Sequence, residues 1–455
     1  MPAGGTWTVQ NKKRPGAYIN FVSVPRAVGT LGERGVVAVG MPMTWGVEGE
    51  LIELNGNELL SGASLPKVGV TSFDTEESLP FRVALSGCYD ALLFRTDRGG
   101  VKASAQISAG VLTATAKYTG TTGNKITVVS VKDKPAVGQY TIQVLLSNIL
   151  KEEFIVTQIS QLEELESNYV VFEVESGQSA TAIPETAGTP LVGGTNGEVD
   201  DTTYATFWNL LDTKNFQCLA MYDKTATLAP LIKDKVDIWR NKRGKKVQAV
   251  VYDYTQANDE GIISVDQGFK TSTETVDETL FMVWVASHTA GAQVNESLTA
   301  SVVEDGVEII NPVLEDDIED ALASGRFILT YRQDGAVCVE QDINTLTEFT
   351  VDKNYAFSKN RVIRVLDEIG NSVALVFNRN YCGKVDNDET GRNSFKTEII
   401  SLIDQLQGIR AVTNFDGASD ITVLPGEAVD AVVVDLTVQP VDSMEKLYMT
   451  VNVNA

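Results

Sequence analysis

Two runs of alternating residues near the end of the sequence restrict the fold most. One parity of each run is apolar, namely Val432, Val434, Leu436 and Val438 in the first and Leu447, Met449, Val451 and Val453 in the second. A period of two predicts half-buried β-strands. Pro440 lacks an amide donor and is predicted to end the first strand. The second strand needs a sheet edge, which the same subunit or another one can supply.

The beginning of the chain carries similar extended runs. Trp7 and Val9 lie in one of them, and residues 18–24 form another beyond a basic link broken by proline and glycine. Fully extended, fifteen residues reach roughly 50 Å at about 3.3 Å per residue. Such ends are typical of assembly by strand exchange, in which main-chain hydrogen bonds supply affinity. Pairing of both ends within their own subunit explains the spacing equally well.

The composition indicates a globular protein of several domains. Its 455 residues predict two to four domains, and 43% hydrophobic with 22% charged residues is ordinary for packed cores. No apolar run approaches the eighteen or so residues of a membrane span, so we expect no membrane insertion. The net charge of −24 argues against direct nucleic-acid binding. It also means that copies of the chain repel one another at low salt.

The residue types that usually carry chemistry are scarce. His288 is the single histidine, which excludes a histidine-based triad or a multi-histidine metal site. We interpret it as a structural residue at the end of an element. The four cysteines are far apart and predict reduced thiols: Cys88, Cys218, Cys338 and Cys382. We therefore expect no catalytic residues, no cofactor and no metal.

The order of predicted elements indicates an α/β protein with an insertion. Residues 25–98 and 191–345 alternate strands and helices and are predicted to form two parts of one α/β core. Residues 99–190 are rich in Thr, Ser and Val and predict an inserted, mostly β domain. Residues 346–442 predict a C-terminal α+β domain with two long helices. Residues 1–24 and 443–455 are predicted to be extended arms.

Two short motifs imitate ligand sites without completing them. Residues 120–127 resemble a phosphate loop, but Asn124 separates the glycine from the lysine and no helix is predicted to follow. Residues 386–391 begin like a calcium loop, but Thr397 stands where the bidentate glutamate is needed. We interpret the second motif as the acidic start of a helix.

A basic cluster contrasts with the overall acidity. It comprises Arg240, Lys242, Arg243, Lys245 and Lys246. One interpretation is a helix C-terminus with Gly244 after it, where cations favour the negative end of the dipole. The other is an electrostatic patch for a neighbouring subunit or another acidic partner. Acidic partner surface exists in the chain itself, at Asp420, Glu427, Asp430, Asp435, Asp442 and Glu445.

Seven stretches spread over the whole sequence resemble contractile tail sheath proteins of phages and phage-tail-like bacteriocins. They are GGTWTVQNKKRPGAYINF, AKYTGTTGNKITV, LVGGTNG, SHTAGAQVNESLT, LTYRQDGAVCVEQDINTLT, YCGKVDNDETGRNSF and the final VVVDLTVQPVDSMEKLYMTVNV. No single stretch is diagnostic, but their order follows that of the family. The resemblance implies an α/β sheath core, outward-facing inserted domains and a C-terminal domain facing an inner tube.

The same resemblance implies a structural function. In that family the terminal arms add strands to C-terminal sheets of neighbouring subunits, which favours exchange between subunits. The expected partners are other copies in stacked hexameric rings, an inner tail tube protein, and baseplate and tail terminator proteins. The expected place is a virion tail or a similar particle assembled in the bacterial cytoplasm. The alternative is a cytosolic α/β enzyme, for instance a carboxylate-based hydrolase.

Overall fold

The computed structural model of the chain describes residues 3–5, 16–18, 34–134, 138–178 and 182–453. At the beginning of the chain, β1 (Ala3–Gly5) runs parallel to β2 (Gly16–Tyr18). Trp7 and Val9, predicted to join subunits, lie outside the described residues. Among the described helices, none is long and apolar enough to cross a membrane.

The first part of the core supplies three strands of the central sheet, a short fourth strand and three short helices. The elements are β3 (Val36–Met41), β4 (Leu51–Asn55), α1 (Gly56–Ser61), α2 (Leu65–Val68), α3 (Leu79–Ala84), β5 (Asp90–Arg95) and the short β6 (Asp97–Arg98). Strands β3 and β5 are continuous apolar runs and are buried on both faces. Such runs are typical of central strands in a covered parallel sheet.

The inserted domain consists of two packed antiparallel sheets. Its strands are β7 (Ser104–Ser108), β8 (Leu112–Ala116), β9 (Ile126–Lys134), β10 (Gln139–Leu146), β11 (Ile149–Val156), β12 (Val170–Val174) and β13 (Thr186–Pro190). One sheet has the order β12-β8-β7 and the other β11-β10-β9-β13. In β10, Tyr140, Ile142 and Val144 face the shared core. The mostly β insertion is confirmed.

The second part of the core restores the alternation of strands and helices. It contains β14 (Glu198–Val199), α4 (Asp201–Leu211), β15 (Cys218–Met221), α5 (Leu228–Asp237), β16 (Gln248–Tyr252), β17 (Ile262–Val265), β18 (Gly268–Thr271), β19 (Thr275–Val276) and α6 (Glu278–Gly291). The carboxylate of Asp200 accepts the Thr203 amide at 2.9 Å and so caps α4. Helix α5 continues into one π-helical turn, Ile238–Lys242.

A six-stranded sheet of order β17-β16-β15-β3-β5-β4 organises the core. Its first five strands are parallel, and β4 is an antiparallel edge. Alternate residues of β3 point to opposite faces: Val37 and Val39 pack with α6, whereas Ala38 packs with α4 and α5. The sheet is therefore covered by helices on both sides, as predicted for an α/β core.

Four further elements complete the core. They are β20 (Gly306–Ile310), α7 (Ile318–Ala323), β21 (Leu329–Tyr331) and β22 (Val337–Val339). Strands β21 and β22 form the hairpin around Gly335, whose φ is 85°. The residues after this hairpin, 340–346, contact the segment that begins the first long helix of the C-terminal domain: Asn360 N donates to Asp342 O at 3.1 Å.

The C-terminal domain combines two long helices with short strands. Its elements are α8 (Asn360–Val376), α9 (Glu389–Gly408), β23 (Val412–Thr413), β24 (Ile421–Pro425), β25 (Val432–Leu436) and β26 (Gln439–Pro440). A π-helical turn, Phe377–Tyr381, follows α8. The Asp388 carboxylate accepts the Gly391 amide at 2.7 Å, so the acidic motif at 386–391 starts a helix, as interpreted.

The β24–β25 hairpin shows the alternation that the sequence indicates. Strand β25 is antiparallel to β24, with Val434 opposite Val423 and Leu436 opposite Ile421. Val434, Leu436 and Val438 are partly buried against a core formed by α9, whereas Val433 is exposed. The apolar parity therefore fixes which face of the hairpin rests on the helix.

Two details of the predicted strands are wrong. Strand β25 ends at Leu436, and Pro440 lies inside β26, opposite Val412. Val441 donates to Ala411 O at 2.9 Å, so the position of Pro440 in this antiparallel pair turns its missing N–H away from β23. Residues 441–453 form no strand within the described chain. The second predicted strand, which needs a sheet edge of this subunit or another, stays a prediction.

We predict that placing a charge on the buried parity of β25 will destabilise the protein. Val434→Asp should lower the free energy of unfolding by roughly 1–3 kcal/mol, since a carboxylate would lie against the apolar side of α9. Val433→Asp is the matched control and should stay within about 0.5 kcal/mol, because that side chain is exposed. Urea unfolding of both variants measures the difference, and equal losses would contradict this register.

Candidate assembly surface

The β24–β25 hairpin is the first candidate surface for association. It is a two-stranded sheet, and within the described chain neither strand has a second partner. Each strand therefore carries one edge of main-chain donors and acceptors available for pairing. Leu424 and Val433 are also more than half exposed on the hairpin's outer face. The hairpin packs against α9 on one face, and its open edges have the geometry that accepts further strands.

The second candidate surface is the part of the predicted C-terminal arm that follows Glu445 and is described, residues 446–453; below, the C-terminal arm means these residues. Its apolar residues project into solvent, with exposed fractions of 84% for Leu447, 73% for Met449 and 69% for Val451. Tyr448, of the opposite parity, is 89% exposed. Monomeric soluble proteins rarely expose a contiguous apolar segment, and such segments mark interaction sites. The arm thus has the composition of a buried strand and the exposure of an unpaired one.

The basic cluster does not form the outward patch of five cations that the sequence suggested. Arg240 is buried and forms a bidentate pair with Asp367, at 2.7 Å to Oδ2 and 2.9 Å to Oδ1. Its Nη1 also donates to Val247 O at 2.9 Å. The prediction of an inter-subunit contact is therefore wrong for Arg240. The pair instead joins the end of α5 to α8, which the sequence could not place side by side.

Lys245 and Lys246 also bind within the chain. Lys245 Nζ lies 4.2 Å from the centre of the Phe216 ring and donates to Leu211 O at 2.7 Å. Burial lowers the pKa of Lys245 to about 8. Lys246 Nζ donates to Arg240 O at 2.9 Å, which is the helix-end contact of the alternative interpretation. The Lys245 ammonium thus binds the end of α4 and the Lys246 ammonium the end of the π-helical turn, so neither is free to dock elsewhere.

Lys242 and Arg243 are the exposed members of the cluster. Arg243 forms an ion pair with Asp212, which also accepts from Trp239 Nε1 at 2.6 Å. Gly244 follows with a φ of 68°, the left-handed conformation that ends helices. The surface available to an acidic partner is thus reduced from five cations to two.

His288 lies in the last turn of α6. Its ring stacks on Trp284 with centroids 3.7 Å apart, and Nδ1 lies 2.8 Å from Trp284 O. Burial lowers the pKa of His288 to about 4, so the ring is neutral near neutral pH. No group of histidine, cysteine or acidic residues among the described part of the chain could hold a metal ion. His288 therefore has the structural position that the sequence predicted.

The sequence missed an ion pair at the beginning of the C-terminal arm. The Glu445 carboxylate contacts Lys359 Nζ and accepts from Gln341 Nε2 at 2.7 Å and Thr299 Oγ1 at 2.8 Å. Glu445 was expected to belong to an acidic surface, and this expectation is wrong because its charge is satisfied internally. The only signal was an acidic residue between two apolar runs, and its partners are 86 to 146 residues away.

Family models for phage tail sheath proteins match three consecutive parts of the chain. The β-sandwich domain model matches residues 98–196, the central domain model 197–345 and the C-terminal domain model 352–454. The chain belongs to the phage tail sheath family. The phage-like element PBSX protein XkdK of Bacillus subtilis is 33% identical over 99% of this chain and 100% of its own length.

Solved structures of sheath proteins have the same architecture. The sheath tail protein of Desulfitobacterium hafniense is 34% identical, covers 95% of this chain and 99% of its own, and superposes with a TM-score of 0.81. The sheath tail protein of Listeria innocua is 29% identical over 92% and 94% of the two chains, with a TM-score of 0.77. The contracted sheath of the anti-feeding prophage, at 10% identity over 97% and 99%, shares the fold with a TM-score of 0.55.

Family membership gives this chain its function class. It is a subunit of a contractile tail sheath, found in phage tails or phage-tail-like particles, and it forms a homo-oligomeric sheath. A sheath protein is structural, so the prediction that the chain is not an enzyme is confirmed and the hydrolase alternative is not supported. The predicted fold class, an α/β sheath core with a β insertion and a C-terminal α+β domain, is also confirmed.

We predict that the buried member of the basic cluster contributes to the stability of the subunit and that the exposed Lys242 does not. Arg240→Met should destabilise the subunit by about 3–5 kcal/mol, because it leaves the Asp367 carboxylate buried without its counter-charge. Lys242→Met, the matched control, should change the free energy of unfolding by less than about 0.5 kcal/mol. Guanidinium unfolding measures both. A tolerated Arg240→Met would show that the buried pair is unimportant for stability.

Proposed function

We propose that the subunit polymerises as stacked hexameric rings around an inner tail tube and that its terminal arms connect neighbouring subunits. One observation supports this most directly. Residues 446–453 carry four alternating apolar side chains and pair with no strand among the described residues, while the β24–β25 hairpin has edges without a described partner. A strand without a sheet and a sheet with open edges are complementary.

Strand addition suits a polymer of acidic subunits. With a net charge of −24, copies repel at low salt, and this repulsion must be overcome by contacts that do not depend on charge. Main-chain hydrogen bonds along a sheet edge and alternating apolar side chains are such contacts. The arms of both chain ends, including Trp7 and Val9, are assigned this function. The run that contains Val432, Val434, Leu436 and Val438 is assigned to the sheet that receives an arm from a neighbouring subunit.

The subunit drives the tube by changing its packing without hydrolysing a nucleotide. Interfaces between rigid subunits have discrete alternative packings, and a collective change between two of them produces a large movement. Assembly on a tube and a baseplate traps the extended packing, and a tail terminator closes the other end. Contraction then proceeds downhill and pushes the tube through the envelope of a target cell. The arms keep neighbouring subunits connected during this movement.

The domains are assigned to layers of the sheath. Residues 346–442 face the inner tube, and the inserted residues 99–190 face outward. Residues 25–98 and 191–345 form the core between them. The particle is assembled in the cytoplasm of the bacterial host.

We predict that assembly depends on one parity of the C-terminal arm. Changing Leu447, Met449 and Val451 together to Ser should abolish or shorten sheath tubes, since these side chains would face a neighbour's core. Changing Lys446, Tyr448 and Thr450 to Ser is the control of opposite parity and should preserve tubes. Electron microscopy of purified protein gives tube yield and length. Both variants should melt like the unmodified protein, because the arm is exposed.

Two results would exclude the arm as a connector. One is equal loss of assembly in both triple variants, which would indicate a contact that has no strand periodicity. The other is the formation of full-length tubes by a chain that ends at Glu445.

Lys242 and Arg243 supply a weaker, electrostatic contribution. They are assigned to an acidic surface of another copy or of the tube, and each exposed pair contributes roughly 0–1 kcal/mol. A sheath repeats such a contact many times. Asp430 and Asp435, exposed on and beside the β24–β25 hairpin, provide a surface of the required sign.

We predict that reversing these two charges will affect assembly in a salt-dependent manner. Lys242→Glu with Arg243→Glu should reduce tube yield at about 0.1 M salt and leave it unchanged near 1 M, where the screening length falls from about 10 to 3 Å. The melting temperature should hardly change, because Asp212 keeps its contacts with Lys235 and Trp239. The double Gln variant is the neutral control. Identical assembly of all forms at low salt would rule out the docking contact.

A further inference from the structure

Among the described residues, hydrogen bonds join the C-terminal segment to the rest of the subunit up to Glu445 and not beyond it. Before it, the amide of Val441 donates to Ala411 O at 2.9 Å, and β26 is paired with β23. After it, no hydrogen bond joins residues 446–453 to another described residue, and their apolar side chains are exposed. Glu445 is therefore the last described contact between the core of the subunit and its C-terminal arm.

Four groups converge on the Glu445 carboxylate. Oε2 accepts from Lys359 Nζ and from Gln341 Nε2 at 2.7 Å, and Oε1 accepts from Thr299 Oγ1 at 2.8 Å and Ser443 Oγ at 3.1 Å. Burial raises the pKa of Glu445, but these hydrogen bonds outweigh burial and hold it below its usual range. We call Thr299, Gln341, Lys359 and Glu445 the arm anchor.

The arm anchor is connected to a buried hydrogen-bond network. The Thr299 hydroxyl also accepts the Asp342 amide at 3.0 Å, and the side chain of Asp342 is buried. Asp342 in turn accepts from Leu298 N at 3.0 Å and pairs with Arg364 of α8. Lys359, immediately before α8, has a side chain that is only 3% exposed. A buried, hydrogen-bonded lysine of this kind cannot move to follow a displaced arm without losing its counter-charge.

We propose that Glu445 is the positioning residue of the C-terminal arm: it fixes the point at which the arm leaves the subunit, so that the arm bends only beyond residue 445. This inference rests on the proposed function, in which residues 446–453 bind a neighbouring subunit. An anchored arm of fixed length holds its strand near the neighbour's sheet edge at a high effective concentration. It also transmits the movement of one subunit to the next. If the contacts of Glu445 were lost, the segment before the arm could change its conformation, and less of the movement would reach the neighbour.

The test compares three variants of the full chain. Glu445→Gln removes the charge and weakens the anchor. Glu445→Gln combined with Lys359→Met also removes the buried cation, which keeps the test valid if the single variant folds poorly. Asp442→Asn is the matched control, since it neutralises an exposed acid of the same segment and preserves the bond accepted from Ser443 N. Hydrogen exchange of the Val441 amide, which donates to Ala411 O, is measured in unassembled protein, and tube length by electron microscopy.

We expect the Val441 amide to exchange faster in both anchor variants, by on the order of tenfold, because hydrogen bonds to a charged group that hold this segment are lost. We also expect them to form fewer and shorter tubes, while Asp442→Asn behaves like the unmodified protein. Unchanged exchange in the anchor variants would overturn the inference at the level of the single subunit. Faster exchange with normal tubes would overturn it as well, because the base of the arm would then be loose without consequence.

A fourth protein separates this inference from the proposed function. A chain ending at Glu445 retains the anchor and lacks the arm. If it forms full-length tubes, the connecting function of the arm fails, and the anchor's effect on exchange still stands as a property of the subunit. If it forms none while the anchor variants form short tubes, both conclusions are supported.

Discussion

The buried pair between Asp342 and Arg364 is the interaction on which the arrangement of the two main domains depends. Both side chains are 1% exposed. Asp342 also accepts from Asn360 Nδ2 at 2.9 Å and Leu298 N at 3.0 Å, while Arg364 donates to Glu296 O at 2.8 Å. The segment after α6, the residues after β22 and the beginning of α8 therefore meet at one charged centre.

This centre fixes orientation more than it adds stability. A buried ion pair loses about as much solvation as it gains in attraction, so replacing it with apolar residues is often neutral. Its geometry, however, is directional in a way that apolar packing is not. Together with the Arg240–Asp367 pair it holds α8 against the central sheet in one orientation. The proposed mechanism requires such a fixed orientation, because it places the movement between subunits and not between the core and the domain that carries the arm.

The sequence was sufficient wherever the physical signal was local. Alternating Val434 and Leu436 predicted the buried face of β25, the alternation of strands and helices predicted the α/β core, and the acidic residues at 386–391 predicted a helix start. The lone histidine and the scattered cysteines restricted the chemistry without any coordinates. The stretches that resemble sheath proteins predicted the class of assembly, because they are spread over the full length of the chain in the order of that family.

Tertiary structure decided which charged residues are paired within the subunit and which strand-like segments find a partner strand in it. Five cations within residues 240–246 look alike in sequence, but Arg240 faces Asp367, a residue 127 positions away, whereas Lys242 faces solvent. Glu445 looked like surface acid until Thr299, Gln341 and Lys359 were brought around it. Periodicity determined that residues 447–453 are suited to a strand. Only the fold determined that they pair with no described strand of their own subunit, because sheet edges are formed by long-range packing and not by local pattern.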